Sequence, residues 1–366
     1  MGIALAEHRM TRATRTLLIT GLALIALLAV GYFTRPTPAP APVLPQHSYE
    51  TALRASRAGD AGAARLLYQQ LSRSDLADTA RVALYTLLPA YPSNRALAFA
   101  ESGLNSPAAS VRLAALDALA QLTEGQDRAR VLGPLLDDPD LAIRYQAAKR
   151  LMDSSPDDLG VYFTGLQAVI DDWGQALQAQ NGNVSAQLEL ARVRLHQEQP
   201  KLAAEAAQHA LALGPDTLQA RVLLARALDK LGQPDAARET LAAPLREHPD
   251  DAFLQHELGL WLLDHGQPEY ALLALARAVE LAPNHGAYRI DLATSLHRLE
   301  QPEAAQAQLD QLVRRQPANR KARVLLMEYW KAAGQLQNVQ MALAVLEQQN
   351  PDDPLLQQEL KAGPLK

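Results

Sequence analysis

Residues 215–248 read PDTLQARVLLARALDKLGQPDAARETLAAPLREH, residues 249–282 read PDDAFLQHELGLWLLDHGQPEYALLALARAVELA, and residues 283–316 read PNHGAYRIDLATSLHRLEQPEAAQAQLDQLVRRQ. The three segments superimpose without a gap. Pro215, Pro249, Pro283, Pro317 and Pro351 stand 34 residues apart, and Pro200, Pro234, Pro268 and Pro302 form a second ladder with the same step. Two ladders in constant phase mark a structural unit repeated along the chain, each copy burying its apolar face on the next. Within a unit the apolar residues keep helical spacing, as in Leu224, Ala225 and Leu228 and then Ala237 and Leu241. A short turn such as Gly232-Gln233 or Gly266-Gln267 separates the two stripes, where Gly closes one helix and Pro opens the next. The unit is therefore a helix-turn-helix pair.

These residues resemble the tetratricopeptide repeat. Small Ala203, Ala237, Ala271 and Ala305 recur where that family needs close helix approach, and Leu190, Leu224, Leu258, Leu292 and Leu326 recur at its large position. The likeness covers five units over residues 184–351, the last departing from the pattern with Met327 and Val339 where smaller residues are usual. Upstream, Pro107, Val111, Arg112, Ala115 and Leu119 align with Pro139, Ile143, Arg144, Ala147 and Leu151 at a step of 32, which looks like a pair of HEAT repeats. The expected fold is all-α: a right-handed superhelical solenoid of HEAT-like and then tetratricopeptide-like pairs. Residues 47–158 hold the HEAT-like pair and, from Tyr49 to Gly103, degenerate hairpins that cap the N-terminal end. Residues 159–183 form a bridging helix from Leu159 to Gln180 with Trp173, and residues 352–366 a closing helix and tail, Leu355, Leu356 and Leu360 covering the last repeat. From Ser106 onward this order also resembles the tail of some bacterial multihaem cytochromes. Their haems hang on Cys-x-x-Cys-His motifs, and none is present here, so that electron-transfer activity is not implied.

Composition fits helices and excludes several chemistries. The chain is 48% apolar but only 5% aromatic, with Ala and Leu dominating, as suits helices packed through small side chains. Thirty-five Lys and Arg against 40 Asp and Glu give a net charge of -5, which offers no field for a nucleic-acid backbone. With no cysteine there is no disulfide, thiolate metal site, covalent haem, thiol nucleophile or lipidated Cys anchor.

Residues 16–33, TLLITGLALIALLAVGYF, carry no charge, and at about 1.5 Å per residue such a helix reaches across a bilayer core. A cleaved signal peptide is the competing reading, but the exit lacks a clean small-x-small site. Arg9, Arg12 and Arg15 precede the segment and only Arg35 closely follows it. The positive-inside bias predicts a single-pass protein of the bacterial inner membrane, with residues 1–15 cytoplasmic and the solenoid periplasmic. Pro36, Pro38, Pro40, Pro42 and Pro45 make residues 34–46 an extended polyproline spacer.

No phosphate loop, nucleophile elbow or His-Glu-x-x-His zinc helix occurs, so neither an enzyme nor a cofactor or metal site is expected. Of the acidic pairs Asp137-Asp138, Asp157-Asp158, Asp171-Asp172, Asp250-Asp251 and Asp352-Asp353, most sit beside Pro at predicted helix starts and read as helix caps rather than catalytic dyads. Trp261 and Trp330 read as packed between helices. The resemblance implies that the first helix of each pair lines a concave groove. Its positions there are Arg192, His196, Arg226, Asp229, Lys230, His256, Asp264, Thr294, His297, Arg298, Lys321, Glu328 and Lys331. A lining of mostly basic, solvated side chains suits an acidic protein or peptide segment, or a C-terminal carboxylate, rather than a small-molecule substrate. The expected function is a membrane-anchored periplasmic scaffold or assembly factor. The alternative is an accessory subunit of envelope machinery such as cytochrome maturation, respiratory or polysaccharide-export complexes.

Overall fold

The computed structural model describes residues 48–362; the expected anchor, its cytoplasmic flank and the Pro-rich spacer lie outside them. Every regular element among the described residues is helical, and no helix among them is long and apolar enough to cross a membrane. Upstream of the repeats run α1 (Tyr49–Ala58), α2 (Ala63–Leu71), α3 (Asp78–Leu87), α4 (Asn94–Gly103), α5 (Ala109–Leu122), α6 (Gly125–Leu132), α7 (Leu141–Leu151), α8 (Pro156–Leu159) and α9 (Phe163–Gln178). Five pairs follow: α10 (Val184–His196) with α11 (Pro200–Leu213), α12 (Leu218–Lys230) with α13 (Pro234–Glu247), α14 (Ala252–Asp264) with α15 (Pro268–Leu281), α16 (Gly286–Arg298) with α17 (Pro302–Arg315), and α18 (Arg320–Ala332) with α19 (Leu336–Gln349). Helix α20 (Pro354–Ala362) comes last.

One turn chemistry builds all five pairs. At the end of each first helix the backbone passes through a left-handed residue, Gly232, Gly266 and Gly334 in three pairs and Glu198 and Glu300 in two. The next residue is always Gln, and its N–H donates to a carbonyl five positions back at 2.8–2.9 Å: Gln199 to Arg194, Gln233 to Leu228, Gln267 to Leu262, Gln301 to Leu296 and Gln335 to Trp330. That bond satisfies a carbonyl the ending helix would leave orphaned. Pro then opens the second helix at 200, 234, 268 and 302, where its missing N–H costs nothing, and Leu336 stands there in the fifth pair.

The small residues make the crossings. Ala203, Ala237, Ala271 and Ala305 are all 0% exposed, and Val339 takes their place in the last pair at 1%. The HEAT-like positions Val111, Ala115, Leu119, Ile143, Ala147 and Leu151 are equally closed, and each fully buried Leu or Ile contributes about 1.5–3 kcal/mol. Met327, at 3% exposure, fills the fifth unit against Leu346 and Leu356, so the larger residues there pack rather than disrupt. The apolar core thins at α13, which carries Pro244 inside it and buries only Ala237 and Leu241. These join Val222 and Ala225 in a small cluster separate from the cores on either side.

Three expectations are corrected. The bridging helix does not run unbroken from Leu159: Gly160, at φ +50, ends α8, a 3-10 turn covers Gly160–Tyr162, and α9 begins at Phe163. Asp171 and Asp172 sit within α9 and cap nothing; they accept from Gln197 and from the Tyr145 hydroxyl at 2.7 and 2.8 Å, tying α9 to its neighbours. Two of the other acidic pairs supply caps, Asp251 accepting from the Leu254 N–H and Asp353 from the Leu355 N–H, both at 2.9 Å, whereas Asp140 caps the helix after Asp137-Asp138 and Ser155 caps the one holding Asp157-Asp158. The hairpins from Tyr49 to Gly103, thirdly, do more than cap one end of the stack.

They meet the other end. The Gly62 N–H donates to the Gln348 carbonyl and the Asn350 amide to the Pro92 carbonyl, each at 2.7 Å, while the Gln349 amide donates to the Gly59 carbonyl. Gly59 lies so close to α18's leading turn that a Cβ would stand 2.7 Å from the Ala318 nitrogen. Gln349, Asn350 and Asp353 are 5%, 1% and 0% exposed. Residues 48–362 therefore return on themselves, joined by a polar seam between the α1–α2 and α3–α4 loops and the end of α19.

Candidate functional site

Three first helices of the pairs, α10, α12 and α18, line an inner face together with α7, and it carries two cavities. One, of about 670 Å³, is bounded by Lys149, Arg150, Met152 and Asp153 of the α7 end, Trp173 of α9, Glu189, Arg192, Leu195 and His196 of α10 with Glu198 beyond it, and Leu223, Arg226, Asp229 and Lys230 of α12. The other, of about 720 Å³, again contains Lys149, Arg150 and Asp153, and its far wall is α18, with Arg320, Lys321, Val324, Leu325 and Glu328; Glu124 and Arg128 close it. Because α7 contributes to both, the two cavities form one surface. The second exists only because the seam brings α18 opposite α7.

Arg192, His196, Arg226, Asp229 and Lys230, five of the expected groove residues, are thus gathered in the first cavity, and Lys321 and Glu328 line the second. Lys331 faces a smaller recess beside α20 and pairs with Glu359. Thr294, Arg298 and Asp264 are exposed and lie in neither inner cavity. His297 stacks on Tyr329 with ring centroids 3.8 Å apart. His256 departs from the expectation of a solvated groove histidine: it is 6% exposed, stacked on Tyr288 at 4.4 Å, with Nε2 2.8 Å from Asp291 and Nδ1 3.4 Å from Glu257. Its neighbours shut it away from a partner because α16 of the next pair covers it.

The basic lining is largely engaged within the chain. Lys149 and Arg192 both reach Glu189, Lys230 reaches Glu198 at 2.8 Å, Arg226 reaches Glu257 at 3.1 Å and Arg150 reaches Asp117 at 2.9 Å. Among the described residues the Lys321 ammonium has no hydrogen-bond or ion-pair partner. Burial pushes the His256 pKa down, but the Asp291 carboxylate, which accepts from Nε2, and the adjacent Glu257 carboxylate outweigh it and raise the imidazole to about 9. Burial raises Glu257 in turn, and His256 with Arg226 more than offsets this, holding it below the usual carboxylate range. Burial lowers the His196 pKa against the opposing pull of Asp153 and Glu198. The arrangement can exchange ion pairs and seat an extended chain on its apolar patches at Met152, Leu195 and Leu223. Among the described residues no group of three metal-ligating side chains converges.

Sequence reasoning missed Lys149, Arg150, Asp153, Glu189 and Trp173. The usable signal was the register: Lys149 and Arg150 occupy the last turn of the second HEAT-like helix, which lies beside α10.

Residues 194–258 match the profile of the tetratricopeptide repeat, and the chain carries repeats of that kind. No curated protein matches the chain. Among solved structures, the chain is similar to YrrB, described as a TPR protein with an unusual peptide-binding site, at 19% identity over 52% of this chain and 97% of that one, with a TM-score of 0.35. It is also similar to yeast Tom70, at 15% identity over 98% of this chain and 74% of that one with a TM-score of 0.46. A third is a thermophilic TPR protein of Thermus thermophilus, at 21% identity over 49% of this chain and 98% of that one with a TM-score of 0.35. The comparisons indicate no catalytic family.

Proposed function

We propose that this protein is a membrane-anchored interaction scaffold that holds a segment of a partner protein on its inner face. The observation that carries the reading is the continuous pair of cavities, lined by ionic and apolar side chains from α7, α10, α12 and α18. The occupant is an extended segment bearing acidic side chains, which exchange with Glu189 and Glu198 for Arg192 and Lys230. Such exchange costs little, because the in-house pairs are partly exposed and worth about 0.2–1 kcal/mol each. The apolar stretch at 16–33 anchors the chain in the inner membrane, and the three arginines before it leave the repeats periplasmic.

Crosslinking in cells followed by detergent extraction of the tagged full chain tests the scaffold. The expected result is a specific crosslinked protein, lost in the double variant Arg192→Glu/Lys230→Glu at unchanged Tm; a chain that stays monomeric and partnerless in wild type defeats the reading. Proteolysis from the periplasmic side of spheroplasts, expected to cleave the repeats, tests the location separately.

A further inference from the structure

The seam is held by hydrogen bonds: Gly62, Gly59 and Pro92 offer backbone atoms, and Gln348, Gln349 and Asn350 answer with a carbonyl and two amides. Two buried polar atoms in these segments, the Ser56 hydroxyl and the Asn350 side-chain carbonyl, have no hydrogen-bond partner. A cavity of about 690 Å³ beside Ser93, Arg95, Asp352 and Gln357 flanks it, and the second inner cavity, closed by α18, lies beyond. Groups of this kind exchange protein partners for water nearly evenly, so such a joint opens far more readily than one sealed by buried methyls. The break in the apolar core at α13, with Pro244 inside the helix, supplies a place where the stack can flex when the seam parts.

We propose that the seam is a polar clasp, which opens to admit the partner's extended acidic segment to the inner face and shuts with α7 and α18 on opposite sides of it. This rests on the reading of the inner face as the partner site. Arg150 from α7 and Lys321 from α18 then hold the segment from two walls, which neither wall does in the open form. The association rate follows the open fraction, and retention follows the closed one.

The chain lacks cysteine, so Arg57→Cys with Glu347→Cys places two labels at exposed positions beside the seam of the full, detergent-solubilised protein. Electron-electron distance measurement on nitroxides there is expected to show a dominant short distance. Gly59→Val, which has no room for its side chain, should shift it to a long, broad distribution with far-UV circular dichroism unchanged, and Asn350→Ala should do so in part. A short distance retained in a folded Gly59→Val chain overturns the clasp. The binding arm uses fluorescein-labelled hexaglutamate. Bridging the two cysteines with a short bis-maleimide should slow its association by about tenfold or more, and Gly59→Val should speed association while also speeding release. Association unaffected by the bridge, on a chain that binds the probe, overturns the gate and leaves the inner-face reading standing. No binding to any form, with Arg192→Glu equally silent, overturns both.

Discussion

The crossing of α14 with α15 and the seam between the α1–α2 loop and α19 are both places where one helix pair ends against another part of the chain, and they are built from opposite materials. At the crossing, Ala271 and Leu275 are 0% exposed and Gly259 lies where a Cβ would stand 2.7 Å from Leu275 Cγ. At the seam, Gly59 meets backbone and the buried side chains are Gln349 and Asn350. Close approach is common to both. What differs is what water does on opening: it is repelled by the first surface and accepted by the second. The chain thus resists opening at a crossing such as α14 with α15 and parts more readily at the seam.

The largest effect tests the stiff joint. Ala271→Trp should overpack the crossing and lower the unfolding free energy by about 1–3 kcal/mol in urea titration, whereas Asn350→Ala, which removes one amide bond at the seam, should cost only about 0.5–1.5 kcal/mol. Equal costs would erase the distinction. A second test concerns the link between α14 and α16. His256 has a pKa of about 9 in the fold against about 6.5 in an unfolded chain, so its stabilisation is complete below about pH 6.5 and is lost as the pH rises through 9. Urea midpoints should fall between pH 6 and pH 9.5 by an amount that His256→Gln abolishes; parallel curves for the two chains would show that the Asp291 pairing contributes nothing. The smallest effect lies in the turns. Glu300 holds φ +57 where three other pairs have Gly, so Glu300→Gly should stabilise by about 0.5–1 kcal/mol. Glu198→Gly should gain less, because Glu198 also pairs with Lys230.

Much of this was legible in the residues. The Pro ladders and the Ala column gave the pairs, their turns and the crossings, because turn chemistry and close packing act between residues a fixed distance apart in sequence. The groove was legible only in part. Arg192, Arg226 and Lys230 were reachable through the repeat register, but their engagement with Glu189, Glu257 and Glu198 was not, since side-chain pairing depends on how adjacent helices are rotated. His256 was misread for the same reason: nothing in its own helix announces that Asp291, 35 residues on, closes over it.

The 34-residue step by itself determined that the chain is a stack of antiparallel helix pairs, because each unit's local spacing and turn residues admit no other packing of its apolar stripe. That Gly59 lies against Ala318 and Asn350 against Pro92 was decided only by the summed rotation of many successive pairs. A small angle per pair is invisible in any one repeat, yet over the whole stack it decides whether the two ends meet, and with them whether the inner face has one wall or two.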